Sequence, residues 1–288
     1  MAAPITLRTA IAPYPHARAL RDGRVSSPRV RFDWVEVEPI TRAFRRMARS
    51  LEFDLCEMAV TTLAQAIGWR KKLVGLSAVL MRGFHHGALV CPAESPLAGP
   101  AELVGRRVGV RAFSQTTGVW VRGILQHEYG VEPGAITWVT EEDAHVAEFT
   151  DPPIVERAAE PLVGLFRAGR IDAAIALRGL SPGEVRLVIA DAERAAAVWF
   201  ARTGIYPVNH ALCLRRPLLD DYPWLAAELL ALFTAARDAV RPEPDPIAGE
   251  ALPYGLEANR RSIETLAGYA AEQGLIPRPY AAEELFAV

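Results

Sequence analysis

The chain has 288 residues, of which 51% are hydrophobic and 23% are charged, and its formal net charge is −2. A sequence of this size and composition can bury a core without disulfide or metal cross-links, and its length favours two domains. The near-neutral charge argues against a dedicated nucleic-acid-binding protein, and no uncharged apolar run of 18 or more residues is present that could span a membrane.

Strand and helix patterns alternate along the first third of the chain. Alternating apolar residues indicate strands, whereas apolar residues three to four positions apart indicate helices. The patterns predict strands at 5–11, 29–36, 53–60, 72–80 and 86–91, and helices at 16–22, 41–49 and 61–69. Pro92, Pro96 and Pro100 then interrupt the pattern.

The rest of the chain continues in the same way. It predicts strands at 107–111, 136–139, 171–177, 185–189 and 207–216, helices at 119–129, 154–168, 222–239 and 257–273, and one last helical turn. Strands that alternate with helices of about ten residues indicate βαβ units, and therefore mainly parallel sheets.

Several chemistries are disfavoured by residue counts and missing motifs. Lys71 and Lys72 are the only lysines, and their polar turn argues against a buried Schiff-base lysine. The sequence has no P-loop, no G-x-S-x-G and no H-E-x-x-H. Cys56, Cys91 and Cys213 are far apart, which fits a reducing compartment. Because the N-terminal segment also lacks a secretory signal pattern, we expect a cytoplasmic protein.

Three hydroxyl residues come just before the helix predicted at 119–129. Ser114, Thr116 and Thr117 lie beyond the carboxyl end of the strand at 107–111, where open α/β sheets bind their ligands. Unpaired N–H groups and the helix dipole favour an anion at such a point. The alternative is that Thr116 or Thr117 simply caps the helix.

A second group of candidates lies in the stretch LMRGFHHGALV. Adjacent side chains on a strand point to opposite faces, so His85 and His86 cannot easily share one metal ion. We expect one of them to face a ligand cleft and the other to pack or meet solvent. Arg82 could hold a carboxylate through two hydrogen bonds, or lie on the surface.

Acid and imidazole groups lie at further strand ends. Glu57 stands among apolar residues, where burial would raise its pKa and suit a proton donor, unless it caps the next helix. Asn209 and His210 fall on opposite faces at the start of a predicted strand. Tyr14 and His16 lie in the loop after the first strand, which is the same kind of position.

Four segments carry a resemblance to a known family. They are EFDLCEMAV at 52–60, RGFHHG at 82–87, VWVRGILQHEYGV at 119–131 and TGIYPVNH at 203–210. The sequence resembles the 4,5-dihydroxyphthalate decarboxylase family, which implies a two-lobed type II periplasmic-binding-protein-like α/β fold. Each lobe is then a mainly parallel sheet flanked by helices, with the ligand cleft between them. We expect residues 1–95 and 208–288 to form the first lobe and 96–207 the inserted second lobe.

The resemblance implies decarboxylation of a hydroxylated aromatic carboxylate without a cofactor. The ring carbon that bears the carboxylate would be protonated, with electrons supplied by a hydroxyl group para to it. His86 or His210 is then the acid, Glu57 assists, and no metal is required. Taken together with the strand-end positions described above, the expected substrate contacts are Arg82, Ser114, Thr116, Thr117, Tyr14, His16, Thr203 and Asn209.

A non-catalytic solute-binding protein for a small aromatic or carboxylated ligand is the alternative. It needs the same fold and the same anion contacts, but no proton donor. Under either hypothesis the partner is a small molecule, and neither nucleic acid nor a membrane is implied. The resemblance also suggests a homo-oligomer.

Overall fold

The computed structural model describes residues 3–287. Its strands are β1 (Ile5–Ala10), β2 (Val30–Trp34), β3 (Leu55–Ala59), β4 (Leu73–Arg82), β5 (Leu89–Pro92), β6 (Arg107–Val110), β7 (Thr137–Thr140), β8 (Val155–Arg157), β9 (Ala173–Ile175), β10 (Val185–Leu187), β11 (Val208–Arg215) and β12 (Phe286–Ala287). Its helices are α1 (Arg18–Arg21), α2 (Thr41–Ser50), α3 (Val60–Gly68), α4 (Thr116–Tyr129), α5 (Leu162–Arg167), α6 (Ala192–Thr203), α7 (Pro217–Asp221), α8 (Leu225–Val240), α9 (Leu256–Glu272) and α10 (Ala282–Leu285). No helix among these residues is long and apolar enough to cross a membrane.

The chain divides into two compact units. Unit 1 contains the described residues up to Arg82, Val208–Ala267 and the described residues from Tyr280 onward. Unit 2 contains Gly83–Pro207 and Gly268–Pro279. The first crossing therefore lies at 82/83 rather than at 95/96, because β5 pairs with β9 and β10 inside unit 2. The second crossing lies at 207/208, and residues 268–279, which we expected in the first lobe, belong to unit 2.

Unit 1 is built on a sheet with the strand order β12-β4-β11-β3-β1-β2. β3 lies inside the sheet, between β1 and β11, and all five of its residues are buried. A strand covered on both faces is read from sequence as a continuous apolar run, and LCEMA follows that rule except at Glu57. At the edge of the sheet, β2 instead alternates between buried or half-buried residues and exposed ones.

Unit 2 is built on a sheet with the strand order β10-β5-β9-β6-β7-β8. β6 pairs in parallel with β7 and β9, whereas β5 is antiparallel to both of its neighbours. One of its cores is formed by residues from β7, α5 and β9, and consists of Val139, Leu162, Leu165, Phe166, Ile171 and Ala174. Both sheets are thus mixed, with parallel pairs in the majority.

Two predicted elements differ from the structure, and one helix was missed. The helix expected at 154–168 is strand β8 followed by the short helix α5, which begins after Pro161. Helix α6 was not predicted, although its alanine-rich sequence AERAAAVWFART has high intrinsic helix propensity. Helix α4 begins at Thr116 rather than at 119, which places Thr116 and Thr117 inside its first turn.

A close contact between α4 and α9 yields a stability prediction. A Cβ atom at Gly123 would stand 2.0 Å from Cδ2 of Tyr269, so no side chain fits there without displacing the ring. In a helix interior alanine is normally more favourable than glycine. At this position we nevertheless expect Gly123→Ala to lower the free energy of unfolding by about 1–3 kcal/mol, because the added methyl group overpacks the contact. Denaturant unfolding measures this. Gly134→Ala is the control, because nothing lies within 4 Å of a Cβ there, and an equal loss in both variants would contradict the packing argument.

Candidate active site

The candidate site in unit 1 lies at one edge of its sheet. β1 and β3 are parallel, and β11 is antiparallel to both β3 and β4. The carboxyl ends of β1, β3 and β4 therefore meet the amino end of β11 at the same edge. This edge brings together Tyr14, Glu57, Arg82 and His210, and it is the edge at which α/β sheets bind ligands.

The register between β3 and β11 places Glu57 and His210 on one face. Glu57 is opposite Leu212, and His210 lies two residues before Leu212 on the same strand. Residues two apart on a strand share a face, so Glu57 and His210 are diagonal neighbours. Nδ1 of His210 is 2.7 Å from Oε1 of Glu57.

Glu57 is completely buried and accepts three hydrogen bonds. His210 and the hydroxyl of Tyr14, at 2.8 Å, both contact Oε1, and the backbone N–H of Ala12 donates to Oε2 at 3.0 Å. A carboxylate has enough lone pairs to accept from all three groups. With Oε1 as the acceptor, Nδ1 of His210 carries the hydrogen of this contact.

His210 is oriented by two contacts. Its side chain is 12% exposed, and its ring meets the ring of Phe44 edge to face, with centroids 4.9 Å apart. Because Nδ1 is bound to Glu57, Nε2 is the nitrogen that can exchange a proton with a ligand. A carboxylate that fixes one imidazole nitrogen in this way also stabilises the protonated ring.

Tyr14 and His16 form a stacked pair beside Glu57. Their ring centroids are 4.9 Å apart and the planes differ by 16°. Burial and the Glu57 carboxylate raise the pKa of Tyr14 above its usual value, so the phenol stays protonated and donates. Burial lowers the pKa of His16 to about 4, although Glu57 acts in the opposite direction. His16 is therefore neutral at pH 7, and its buried Nε2 has no hydrogen-bond partner among the described residues.

Arg82 is held in place at the end of β4. Its Nη1 donates to Oδ1 of Asn259 at 2.9 Å, and the amide of Asn259 in turn donates to the carbonyl oxygens of Pro253 and Gly255, each at 2.8 Å. Asn259 is fully buried. The neighbouring candidate Asn209 is buried as well, at the start of β11. The guanidinium is thus positioned rather than loose, as a carboxylate clamp requires.

Cys56 also lies beside Glu57, but its thiol makes no hydrogen bond with the Glu57 carboxylate in the contacts described above. Burial raises the pKa of the Cys56 thiol well above its usual value, and Sγ donates to the backbone oxygen of Glu57 at 2.9 Å. A protonated, buried thiol is not a nucleophile. Across residues 3–287, no group of three or more His, Cys, Asp or Glu side chains is arranged so that it could hold a metal ion.

In unit 2, the predicted anion contacts lie at the start of α4. Ser114 and Thr116 are buried, and Gln115 is the N-cap residue. The N-cap makes no side-chain capping hydrogen bond. The first-turn N–H groups of an α-helix have no partner within the helix, and together with the helix dipole they favour an anion at such a point.

His86 lies farther along unit 2. Its ring packs edge to face against Trp199, with centroids 5.5 Å apart, and burial lowers its pKa to about 4. It lines a cavity of about 470 Å³ together with Glu128 and Arg194. Glu128 is twelve residues beyond Thr116 on α4, which is about 18 Å along the helix axis.

Thr203 completes the set of predicted residues in unit 2. Its hydroxyl donates to the carbonyl oxygen of Trp199 at 2.8 Å and accepts the backbone N–H of Ile205 at 3.2 Å. Both bonds stabilise the end of α6. The structure thus joins Tyr14, His16, Glu57 and His210 through direct contacts in unit 1, which also contains Arg82 and Asn209. It places His86, Ser114, Thr116, Thr117 and Thr203 in unit 2.

Two residues that support the site were not predicted. Phe44 looks like an ordinary core residue of the amphipathic helix α2, and no sequence signal marks its contact with His210. Asn259 carried a signal, because it occupies the apolar stripe of α9 with Leu256, Ile263 and Leu266. A polar side chain on a buried stripe needs partners, which Arg82 and two carbonyl groups provide.

The two buried, neutral histidines predict how stability changes with pH. His16 and His86 have pKa values of about 4 in the folded protein, against 6.5 for the ordinary side chain. Below pH 6.5 the unfolded chain binds more protons, so the free energy of unfolding falls from about pH 6.5 to 4, by up to about 1.4 kcal/mol per pH unit for each histidine. Urea unfolding across this range should show smaller slopes for His16→Gln and His86→Gln. The exposed His127 is the control, and an unchanged slope in both variants would refute the prediction.

The fold belongs to a known class. Two mixed sheets with flanking helices form a periplasmic-binding-protein-like α/β fold, which confirms the predicted fold class. The alkanesulfonate-binding protein SsuA from Xanthomonas axonopodis pv. citri, bound to MOPS, matches 100% of this chain and 99% of its own, with a TM-score of 0.64 and 15% identity. The desulfurization enzyme DSZB matches 98% of this chain and 96% of its own, with a TM-score of 0.53 and 15% identity. The fold therefore occurs in both a binding protein and an enzyme.

The sequence comparisons find relatives that share one name. The chain is 28% identical over 250 residues to a 4,5-dihydroxyphthalate decarboxylase of Comamonas testosteroni, covering 80% of this chain and 74% of the relative. It is 26% identical over 211 residues to a 4,5-dihydroxyphthalate decarboxylase of Pseudomonas putida, covering 68% and 81%. No family model matches the sequence. The predicted resemblance to these decarboxylases is confirmed.

Proposed function

We propose that the protein decarboxylates a hydroxylated aromatic carboxylate of the 4,5-dihydroxyphthalate class, without a cofactor. The similarity to two decarboxylases supports the substrate class. The observation that carries the mechanism is the buried carboxylate of Glu57, which holds His210 by Nδ1. The Glu57–His210 pair provides a proton donor that is held in position and can be protonated again after each turnover, which a binding protein does not need.

The reaction needs a proton before it loses carbon dioxide. Direct cleavage of the bond between ring and carboxylate would leave its electron pair in an unstabilised sp² orbital. Protonation of that ring carbon, with loss of the proton from the para hydroxyl, instead gives a dienone. The carbon–carboxylate bond then breaks, its electron pair restores the aromatic ring, and the phenolate regains a proton. The net change consumes one proton and releases one carbon dioxide.

His210 is the proposed acid. Protonated His210 donates from Nε2 to the ring carbon, while Glu57 stabilises the imidazolium and Tyr14 holds the carboxylate through Oε1. General acid catalysis of this kind contributes roughly 10²–10⁴-fold to rate. For His86, the other histidine predicted from the sequence, burial lowers the pKa to about 4. Among the described residues, no carboxylate is hydrogen-bonded to its ring as Glu57 is to His210. We therefore assign the acid to His210.

The remaining candidates are proposed to bind the substrate. Arg82 would hold a carboxylate through its guanidinium. Within unit 2, Ser114, Thr116 and Thr117 would hold a carboxylate at the first turn of α4. Tyr14, His16, Asn209 and Thr203 complete the proposed contacts.

A solute-binding protein is the second candidate function. It is favoured by the fold match to SsuA, which has a higher TM-score than the match to the enzyme DSZB. The same anion contacts would then hold a small aromatic carboxylate without turnover, and the Glu57–His210 pair would serve only to orient the ring.

One experiment separates the two functions. Purified protein is incubated with 4,5-dihydroxyphthalate while carbon dioxide release is measured, and binding is followed in parallel by calorimetry. Release of carbon dioxide above the uncatalysed rate supports the decarboxylase. Tight binding without release would replace it with the binding protein, and absence of both would remove this substrate class.

A further inference from the structure

Arg122 in α4 is a buried cation of unit 2 that the proposed mechanism does not use. It is fully buried, and its guanidinium lies over the ring of Phe113 at 4.0 Å and near that of Trp138 at 5.1 Å. Nη2 donates to the carbonyl oxygen of Phe113 at 2.5 Å, and Nε donates to Oε1 of Gln273 at 2.7 Å. Gln273 is itself fixed, because its amide donates to the carbonyl oxygen of Val119 at 3.0 Å.

No acidic side chain among the described residues pairs directly with this cation. Within residues 3–287 Arg122 forms no ion pair, and its buried Nη1 has no hydrogen-bond partner. The charge of Asp151 acts on it from farther away, but Asp151 lies 3.7 Å from Arg157. A buried charge without a paired counter-charge is costly, so an anion bound nearby would offset part of that cost.

The unpaired end of Arg122 lies against the first turn of α4. A Cβ atom at Gly118, the third residue of the helix, would stand 3.1 Å from Nη1, so the absence of a side chain there makes room for the guanidinium. Phe113, which accepts from Nη2, immediately precedes Ser114. The charge of Arg122 and the positive end of the α4 dipole therefore coincide at the loop 113–118.

We propose that Arg122 is the counter-charge of a carboxylate-binding subsite at the first turn of α4. The ligand contacts the loop and the helix N–H groups, and Arg122 acts through its field and by fixing Phe113, without touching the ligand. The inference rests on the proposed function for the identity of the ligand, an aromatic dicarboxylate. It is independent of whether turnover follows, because it concerns binding alone.

Two variants test the charge separately from the packing. Arg122→Met keeps the length of the side chain and removes the charge, and apolar replacement of a buried charge often leaves a fold equally stable or more stable. Gln273→Glu keeps an acceptor for Nε and sets a carboxylate beside the guanidinium, although it gives up the hydrogen bond to the carbonyl oxygen of Val119. We expect both to weaken binding of 4,5-dihydroxyphthalate at least about tenfold by calorimetry, and to raise KM much more than they lower kcat. Catechol, which has no carboxylate, should bind all forms alike.

Arg107→Met is the matched control, because this exposed arginine of unit 2 forms a surface pair with Glu156. It should change binding less than about twofold. The proposal would be overturned if the Arg122→Met protein folds and binds 4,5-dihydroxyphthalate as tightly as the wild type. It would also be overturned if the wild-type protein does not bind this dicarboxylate. If Arg122→Met does not fold, Gln273→Glu decides by the same criterion. Weakened binding in a protein that never releases carbon dioxide would keep the subsite and reject only the decarboxylase.

Discussion

His210→Asn is expected to reduce decarboxylation by about 10²–10⁴-fold, the usual contribution of a general acid. The asparagine amide can occupy the place of Nδ1 and donate to Glu57, so the buried carboxylate keeps its partner. It cannot replace Nε2 as a proton donor, because an amide does not ionise near neutral pH. Carbon dioxide release measures the loss, and the melting temperature should change little.

His127→Asn is the matched control for this variant. His127 also contacts a glutamate, with Nε2 at 2.8 Å from Glu272, but both of these side chains are about 40% exposed. Loss of this surface pair should leave turnover within about twofold of the wild type. If His210→Asn also kept normal turnover while remaining folded, His210 would not be the acid, and His86 would be tested next.

Glu57→Gln is expected to impair both catalysis and folding. The amide lacks the charge that stabilises the imidazolium, so turnover should fall by roughly 10²-fold or more. An amide also presents one acceptor and one donor where the carboxylate meets three donors, so at least one buried donor loses its partner. Such a loss costs about 1–3 kcal/mol. Urea unfolding and carbon dioxide release together measure the two effects.

The same substitution in the exposed pair supplies the control. Glu272→Gln removes a carboxylate from a histidine without burying an unpaired group, so it should leave both the unfolding free energy and turnover nearly unchanged. Normal stability and normal turnover in Glu57→Gln would show that the buried carboxylate neither supports the fold nor assists the acid. That outcome would remove the mechanism proposed for this edge of the sheet.

Sequence reasoning identified the members of the unit 1 site but not their arrangement. Glu57, Tyr14 and His210 each stood out as polar residues next to a predicted strand end. Their hydrogen bonds depend on the register between β3 and β11, in which Glu57 faces Leu212. A shift by one residue would turn His210 to the opposite face, and no local pattern records the register.

The supporting residues show why the rest could not be predicted. Arg122 is one of thirty arginines, and in sequence it has the appearance of a residue on an exposed helix. Only the packing of Phe113, Trp138 and Gln273 around it shows that it is buried. In the same way, prolines at 92–100 suggested a boundary, whereas long-range pairing of β5 decides which unit the segment joins.

The shared oxygen of Glu57 restricts where protons can enter the proposed site. Nδ1 of His210 and the hydroxyl of Tyr14 both contact Oε1 of the fully buried Glu57 carboxylate. Because Nδ1 is bound to Glu57, the imidazole must regain its proton at Nε2, the same nitrogen that donates to the ligand in the proposed reaction. Departure of the product and arrival of the next proton are thereby placed in sequence, since both depend on access to that one nitrogen.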